Sequence, residues 1–167
     1  VDSTGGGSTS GDLPGRKNAC GAFWRPSLVL CDTAALATLP EREISNGLAE
    51  CIKHAVIADA EMLPLTRLPA ADYVELAARN IAVKERFVSQ DERDTTQRQF
   101  LNFGHTAGHA IEALSGYQLR HGECVAIGMV LAARVGAYLE LTPPAAARLA
   151  HICGRRFLPR SGPACGR

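Results

Sequence analysis

Three histidines and one glutamate have the spacing in this sequence that suits metal chemistry. His105 and His109 are four residues apart, which places both imidazoles on one face of a helix. His121 opens the next helical pattern after a short turn, and Glu50 lies on an earlier one beside Lys53 and His54. Two imidazoles and one carboxylate leave a position open on zinc, as in catalytic rather than structural sites. The carboxylate is a hard ligand that lowers the net positive charge, and the open position takes water or substrate oxygens. Spacing alone leaves a second reading open, in which His105 and His109 make core or helix-cap hydrogen bonds. The HExxH pattern of the zincins is absent. His54 reads as solvated or as a partner behind the site, and His151 as structural.

Polar residues around the histidines suggest an anionic ligand. Asn102 interrupts the apolar run Phe100-Leu101-Asn102-Phe103, Arg98 lies four residues before it, and Lys84 sits on the preceding helix. A buried asparagine needs hydrogen-bond partners, and an arginine fork matches a carboxylate. Taken singly, Arg98 and Lys84 also fit an ordinary helix surface. The glycine-rich run Gly5-Gly6-Gly7-Ser8-Thr9-Ser10-Gly11 exposes backbone N–H groups that can cradle an anion. It lacks the GxxxxGK[ST] spacing of a phosphate loop, so a flexible linker is the alternative. Lys17 and Asn18 then add a cation and an amide.

The elements that must position these groups are mostly helices. Apolar residues at three- and four-residue steps predict helices over Ile44–Ile57, Asp72–Gln90, His105–Leu114 and Gly122–Leu139, with another from Ala145 to about Arg156. Pro64 and Pro69 bound an irregular connector, and Gly116-Tyr117 ends the helix of the paired histidines. Residues 1–26 read as loop-rich, and Ser27–Cys31 as a short buried strand. The expected fold is mainly α: a lead-in over 1–40, a helical metal- and substrate-binding body over 41–157, and a fraying tail over 158–167.

Composition limits the function classes. The chain has 167 residues, of which 46% are apolar and 21% charged, as expected for one globular domain. Eighteen basic against seventeen acidic residues, with 5% aromatic, argue against a broad nucleic-acid surface. No apolar stretch is long enough for a membrane span. Six cysteines without a CxxC pair read as reduced structural thiols, hence a cytoplasmic setting; Cys51 and Cys124 would pack behind the site. The chain starts at Val1 in a Gly/Ser-rich run without an initiator Met or a signal-like segment, which fits a processed chain or a fragment.

The blocks VDSTGGG, LPGRKNACGAFWRP, LCDTAALATLPEREISNGLAECIKHAVI, DERDTTQRQFLNFGHTAGHAIEALSGY and HGECVAIGMVLAA resemble the 3-dehydroquinate synthase family and the related sugar-phosphate cyclases. The resemblance runs from Val1 to about Arg148. It implies an N-terminal α/β domain that binds NAD, a helical C-terminal domain that holds the metal, and an active site between them. This chain is similar to the C-terminal domain and its lead-in. The NAD-binding domain is therefore expected to be missing in cis, leaving a fragment inactive alone.

The resemblance also assigns residues. Zinc (or cobalt) ligands fall on Glu50, His105 and His121. Asp2, Lys53 and Lys84 match contacts to substrate hydroxyls, and Lys84 with Arg98 matches a carboxylate site. Asn18, Asn102 and His109 match the phosphate side, Lys17 matches a basic lead-in position, and Lys53 and His109 would be catalytic. The implied reaction is cyclisation of 3-deoxy-D-arabino-heptulosonate 7-phosphate with phosphate elimination and catalytic NAD. The implied partners are a small phosphorylated sugar acid and a second subunit in a homodimer. Amino-dehydroquinate, 2-deoxy-scyllo-inosose and valiolone-type cyclisation are alternatives, as is a non-catalytic zinc-binding remnant. Ser8 departs from the pattern, since the family's first loop is close to GGKTG and places a phosphate-contacting lysine there. No convincing match to a second phosphate-binding lysine lies near residues 158–167.

Overall fold

The computed structural model describes residues 8–13, 16–23, 27–90 and 97–141, with 148–149, 152–153 and 157 beyond them. Pro40 starts the first long helix, α1 (Glu41–Ile57): its carbonyl accepts from the Glu43 and Ile44 N–H groups at 2.9 and 3.2 Å. Glu41 and Glu43 lie in the first turn, where carboxylates offset the helix dipole. A one-turn helix, α2 (Met62–Leu65), and a 3-10 turn (Ala70–Asp72) fill the connector that the two prolines bound. Next come α3 (Val74–Gln90), a 3-10 turn (Gln97–Asn102), α4 (His105–Leu114) and α5 (His121–Tyr138).

Helix α1 is the axis of the packing. Its Ala49 and Ile52 join Val125, Ala126, Met129, Val130 and Ala133 of α5 in one apolar cluster. Its Leu48 and Ala55 join Met62, Tyr73 and the α3 residues Leu76, Val83 and Phe87 in a second. The fold is thus mainly α-helical, and none of the described helices is long and apolar enough to cross a membrane.

The lead-in differs from expectation. Ser8–Leu13 (β1) and Arg16–Phe23 (β2) form an antiparallel hairpin, with Ser8 opposite Phe23 and Leu13 opposite Arg16. A Ser/Thr/Gly-rich stretch has no apolar alternation to betray a strand, although Pro14-Gly15 between the two runs is a turn signal. Ser27–Cys31 is not a strand. Leu28 and Leu30 are 75% and 86% exposed, because no third strand among the described residues offers this apolar run a ladder. Residues 148–149 and 152–153 are helical; the remainder of 142–156, His151 and the tail 158–167 lie outside the described residues. Cys20, Cys31, Cys51, Cys124 and Cys153 are free thiols, and burial pushes the Cys153 thiol up to about 11, which makes it inert.

Candidate metal centre

Backbone-to-backbone helix crossings assemble the site. A Cβ on Gly128 of α5 would stand 2.0 Å from the Gly104 carbonyl oxygen and 2.9 Å from the Gly108 nitrogen. A Cβ on Gly108 would meet the Cys124 carbonyl oxygen at 3.2 Å. Gly104, at φ 80°, adopts the left-handed conformation that favours glycine and precedes His105 at the start of α4. At the α1–α5 crossing a Cβ on Gly122 would come within 2.0 Å of the Asn46 carbonyl oxygen, and Asn46 Oδ1 accepts from the Gly122 N–H at 2.6 Å. These contacts bring the first residues of α4 and α5, His105 and His121, against Glu50 of α1.

Glu50 is buried and its two oxygens divide the work. Oε2 accepts from the Lys53 ammonium, one turn along α1. Oε1 lies 3.8 Å from His105 Nε2 and 3.7 Å from His121 Nε2. His105 Nδ1 is 3.3 Å from the Phe103 carbonyl. A carbonyl only accepts, so Nδ1 carries the proton and Nε2 presents its lone pair toward Glu50. Burial, then the Lys53 cation, hold the His105 pKa down at about 4 against the opposing Phe103 hydrogen bond, so its imidazole is neutral near pH 7.

This donor set fits a first-row divalent ion. The ligand atoms of Glu50, His105 and His121 all lie within 4.8 Å of one another. Donors around tetrahedral zinc, at roughly 2.0–2.2 Å from the metal, stand roughly 3.3–3.6 Å apart, so the observed separations close with small rotamer shifts. A second donor set, His109, Glu112 and His121, shares one imidazole with the first. The rings of His105, His109 and His121 have centroids 5.3 to 5.8 Å apart.

The neutral state of His105 has a consequence for stability. Its folded pKa is below the ordinary value of 6.5, so between about 4 and 6.5 the unfolded chain binds more protons. Its contribution is present in full above pH 6.5 and is lost as pH falls toward 4. Urea midpoints of the metal-free chain are expected to drop over that window, and His105→Asn should flatten the drop.

The other expected site residues divide. Lys53 is only 2% exposed and is paired with Glu50, so it faces the metal ligand from within the core. Lys84 is half-buried on α3. His109 is exposed beside the other two imidazoles. Asn102, expected to be buried, is exposed: the turn Gln97–Asn102 buries Leu101 and leaves its neighbours outward. Lys17, Asn18 and Arg98 have described backbones in β2 and in that turn; their side chains, and Asp2, lie outside the described residues. His54 is not solvated. It is 1% exposed and its Nδ1 meets Asn80 Oδ1 at 2.8 Å, while Asn80 Nδ2 donates to the Leu76 carbonyl. Asn46 and Asn80 were not legible as site residues because each acts on an element distant in sequence, and Glu112 was not because its contact with His121 depends on how α4 and α5 cross. A cavity of about 540 Å³ between the Thr33–Thr38 turn, α1 and α3 reaches Glu50 and His121 and is lined mainly by apolar residues such as Ile44, Tyr73 and Leu76.

Residues 47–162 match the profile described as 3-dehydroquinate synthase C-terminal, and residues 1–46 match 3-dehydroquinate synthase N-terminal. The chain belongs to the 3-dehydroquinate synthase family. It is 49% identical to a 3-dehydroquinate synthase of Pelobacter propionicus over 81% of this chain and 40% of that protein. It is 48% identical, over 83% of this chain and 38% of the relative, to a protein of Amycolatopsis mediterranei whose name points to an aminodehydroquinate synthase. This member of the family therefore spans about two fifths of the curated relatives it matches. The fold is similar to the 2-epi-5-epi-valiolone synthase of Streptomyces hygroscopicus, solved with NAD+ and Zn2+, at TM-score 0.79 and 27% identity over 96% of this chain and 48% of that one.

Proposed function

We propose that this chain is the metal- and substrate-holding portion of a 3-dehydroquinate synthase, which cyclises 3-deoxy-D-arabino-heptulosonate 7-phosphate with loss of phosphate. The observation that carries this reading is the convergence of His105 Nε2 and His121 Nε2 on Glu50 Oε1. Glu50, His105 and His121 would hold zinc or cobalt, which supplies a Lewis acid for substrate oxygens, while NAD would supply a hydride acceptor.

The remaining roles belong to the protein's own side chains. Lys53 holds Glu50 Oε2, which leaves Oε1 turned toward the imidazoles. Its burial favours this positioning role over a direct hydroxyl contact, which would require the ammonium to leave Glu50. The exposed His109 ring beside the centre suits proton transfer between the substrate and its departing phosphate. Lys84 and Arg98 would anchor the carboxylate; Lys17, Asn18 and Asn102 the phosphate; Asp2 a hydroxyl. The free thiols fit a reducing, cytoplasmic setting.

The names of relatives near half identity favour a carboxylate-bearing substrate, either the dehydroquinate precursor or its amino analogue. Ser8, where the family places a lysine, favours a valiolone- or inosose-type cyclase as the second reading. The test joins the chain to an N-terminal family domain, loads zinc and NAD, and measures phosphate release. Release from the seven-carbon acid phosphate is expected. Release from sedoheptulose 7-phosphate or glucose 6-phosphate alone would establish the second reading, and one zinc per chain without release from any of the three sinks both.

A further inference from the structure

Glu112 is a buried carboxylate that the proposed reaction does not use. Its side chain is 7% exposed, and Oε2 lies 3.5 Å from His121 Nδ1. The opposite nitrogen of the same ring, Nε2, faces Glu50 Oε1 at 3.7 Å. One imidazole therefore stands between two carboxylates, one at each nitrogen. A buried carboxylate is costly unless hydrogen-bonded or paired with charge, and a neutral imidazole meets that need only by donating its one N–H.

The backbone of Glu112 is also fixed. Its carbonyl accepts from Ser115 Oγ at 2.8 Å and from the Tyr117 N–H at 3.0 Å. Those bonds close the turn after α4, where Gly116 and Tyr117 take φ values of 60° and 62°. Ser115 Oγ in turn accepts from the Leu119 N–H at 3.4 Å, which carries the chain toward His121. Glu112 is thus anchored to the α4–α5 connection by its carbonyl, while its carboxylate faces the first side chain of α5.

We propose that Glu112 is the positioning residue for His121: it holds the Nδ1–H tautomer and turns Nε2 toward the metal. This rests on the reading of Glu50, His105 and His121 as the ligand set. It parallels His105, whose Nδ1–H is held by the Phe103 carbonyl. Both rings then offer Nε2 to the same place. In the competing donor set of His109, Glu112 and His121, the His121 nitrogen that faces Glu112 is Nδ1, at 3.5 Å. A carboxylate partner also raises the basicity of a ligating imidazole, and removing such a partner costs roughly 10- to 100-fold in metal affinity.

Two measurements on the 167-residue chain test this. The first is zinc affinity, by competition with a chromophoric chelator, for the parent, Glu112→Gln and Glu112→Ala. Glu112→Gln keeps the shape and one acceptor oxygen, so it is expected to fold with a urea midpoint close to the parent's and to bind zinc several-fold more weakly. Glu112→Ala is expected at the weak end of a 10- to 100-fold loss. The second is the tautomer of His121 in the metal-free chain at pH 8, read from nitrogen-15 ring shifts with His121→Asn as the assignment control. The parent is expected as Nδ1–H, shifting toward a mixture in Glu112→Ala. Zinc affinities within twofold of the parent in both variants, or a parent ring protonated at Nε2, overturn the proposal. So do two zinc ions per chain with one lost in His109→Ala, since Nδ1 would then be a ligand. A parent that binds no zinc while its ring remains Nδ1–H in a Glu112-dependent way would refute the ligand reading and leave the orienting contact standing.

Discussion

Gly128→Ala is expected to unfold or grossly loosen the helical body. The added methyl would sit 2.0 Å from the Gly104 carbonyl oxygen and 2.9 Å from the Gly108 nitrogen, and both are backbone atoms that no rotamer change can move. Overpacking a close-packed interior costs roughly 1–3 kcal/mol even where side chains yield, so a loss of about 3 kcal/mol or more follows when only helix separation relieves the clash. Gly47→Ala supplies the contrast. It lies in α1 with nothing within 4 Å of its built Cβ, and should be neutral or stabilising by up to ~1 kcal/mol. Urea unfolding of the two variants measures both. Equal midpoints would mean that the α4–α5 crossing tolerates a wider spacing. The clash also bears on chemistry, because that crossing brings His105 to His121; any folded fraction of Gly128→Ala should bind zinc far more weakly than the parent.

Lys53→Met should be nearly as damaging, for an electrostatic reason. Lys53 is 2% exposed and Glu50 is 9% exposed, and the ammonium holds one carboxylate oxygen inside the core. Methionine preserves much of the volume but removes the charge. Breaking a buried pair from one side costs about 3–5 kcal/mol, because the remaining ion keeps its desolvation penalty. A metal ion at Glu50 supplies positive charge to the same carboxylate, so the deficit is expected to shrink when zinc is added. Paired urea titrations of Lys53→Met with and without zinc check this. A loss below ~1 kcal/mol, or one that zinc leaves unchanged, would show that Lys53 packs rather than neutralises. Removal of Lys53 should also let the His105 pKa rise, since the ammonium is among the causes holding it down.

Much of the helical framework was readable because helix formation is written locally. The apolar steps and the Gly116-Tyr117 stop gave α4 as His105–Leu114, and the same steps gave α1 from Ile44 to Ile57, three residues short of its start at Glu41. The hairpin was not readable, since its Ser, Thr and Gly residues carry no period-two signal and its stability lies in cross-strand backbone bonds. The apolar run at Ser27–Cys31 misled for the converse reason: β-propensity without a partner strand makes no strand.

The ligand types were likewise visible, as two histidines one helical turn apart, a third at a helix start, and a glutamate three residues from a lysine and four from a histidine. Family resemblance selected Glu50, His105 and His121 among them. What the sequence by itself determined was therefore the helices, the family and the candidate donors, because these depend on residue type and near spacing. Tertiary structure decided which nitrogen of each histidine faces Glu50, that Lys53 is buried against that carboxylate, that His54 is turned to Asn80, and that Glu112 stands behind His121. Those facts follow from how closely α1, α4 and α5 approach. That approach is set by backbone atoms touching at Gly104, Gly108, Gly122 and Gly128, a contact between segments far apart in the chain that no local pattern encodes.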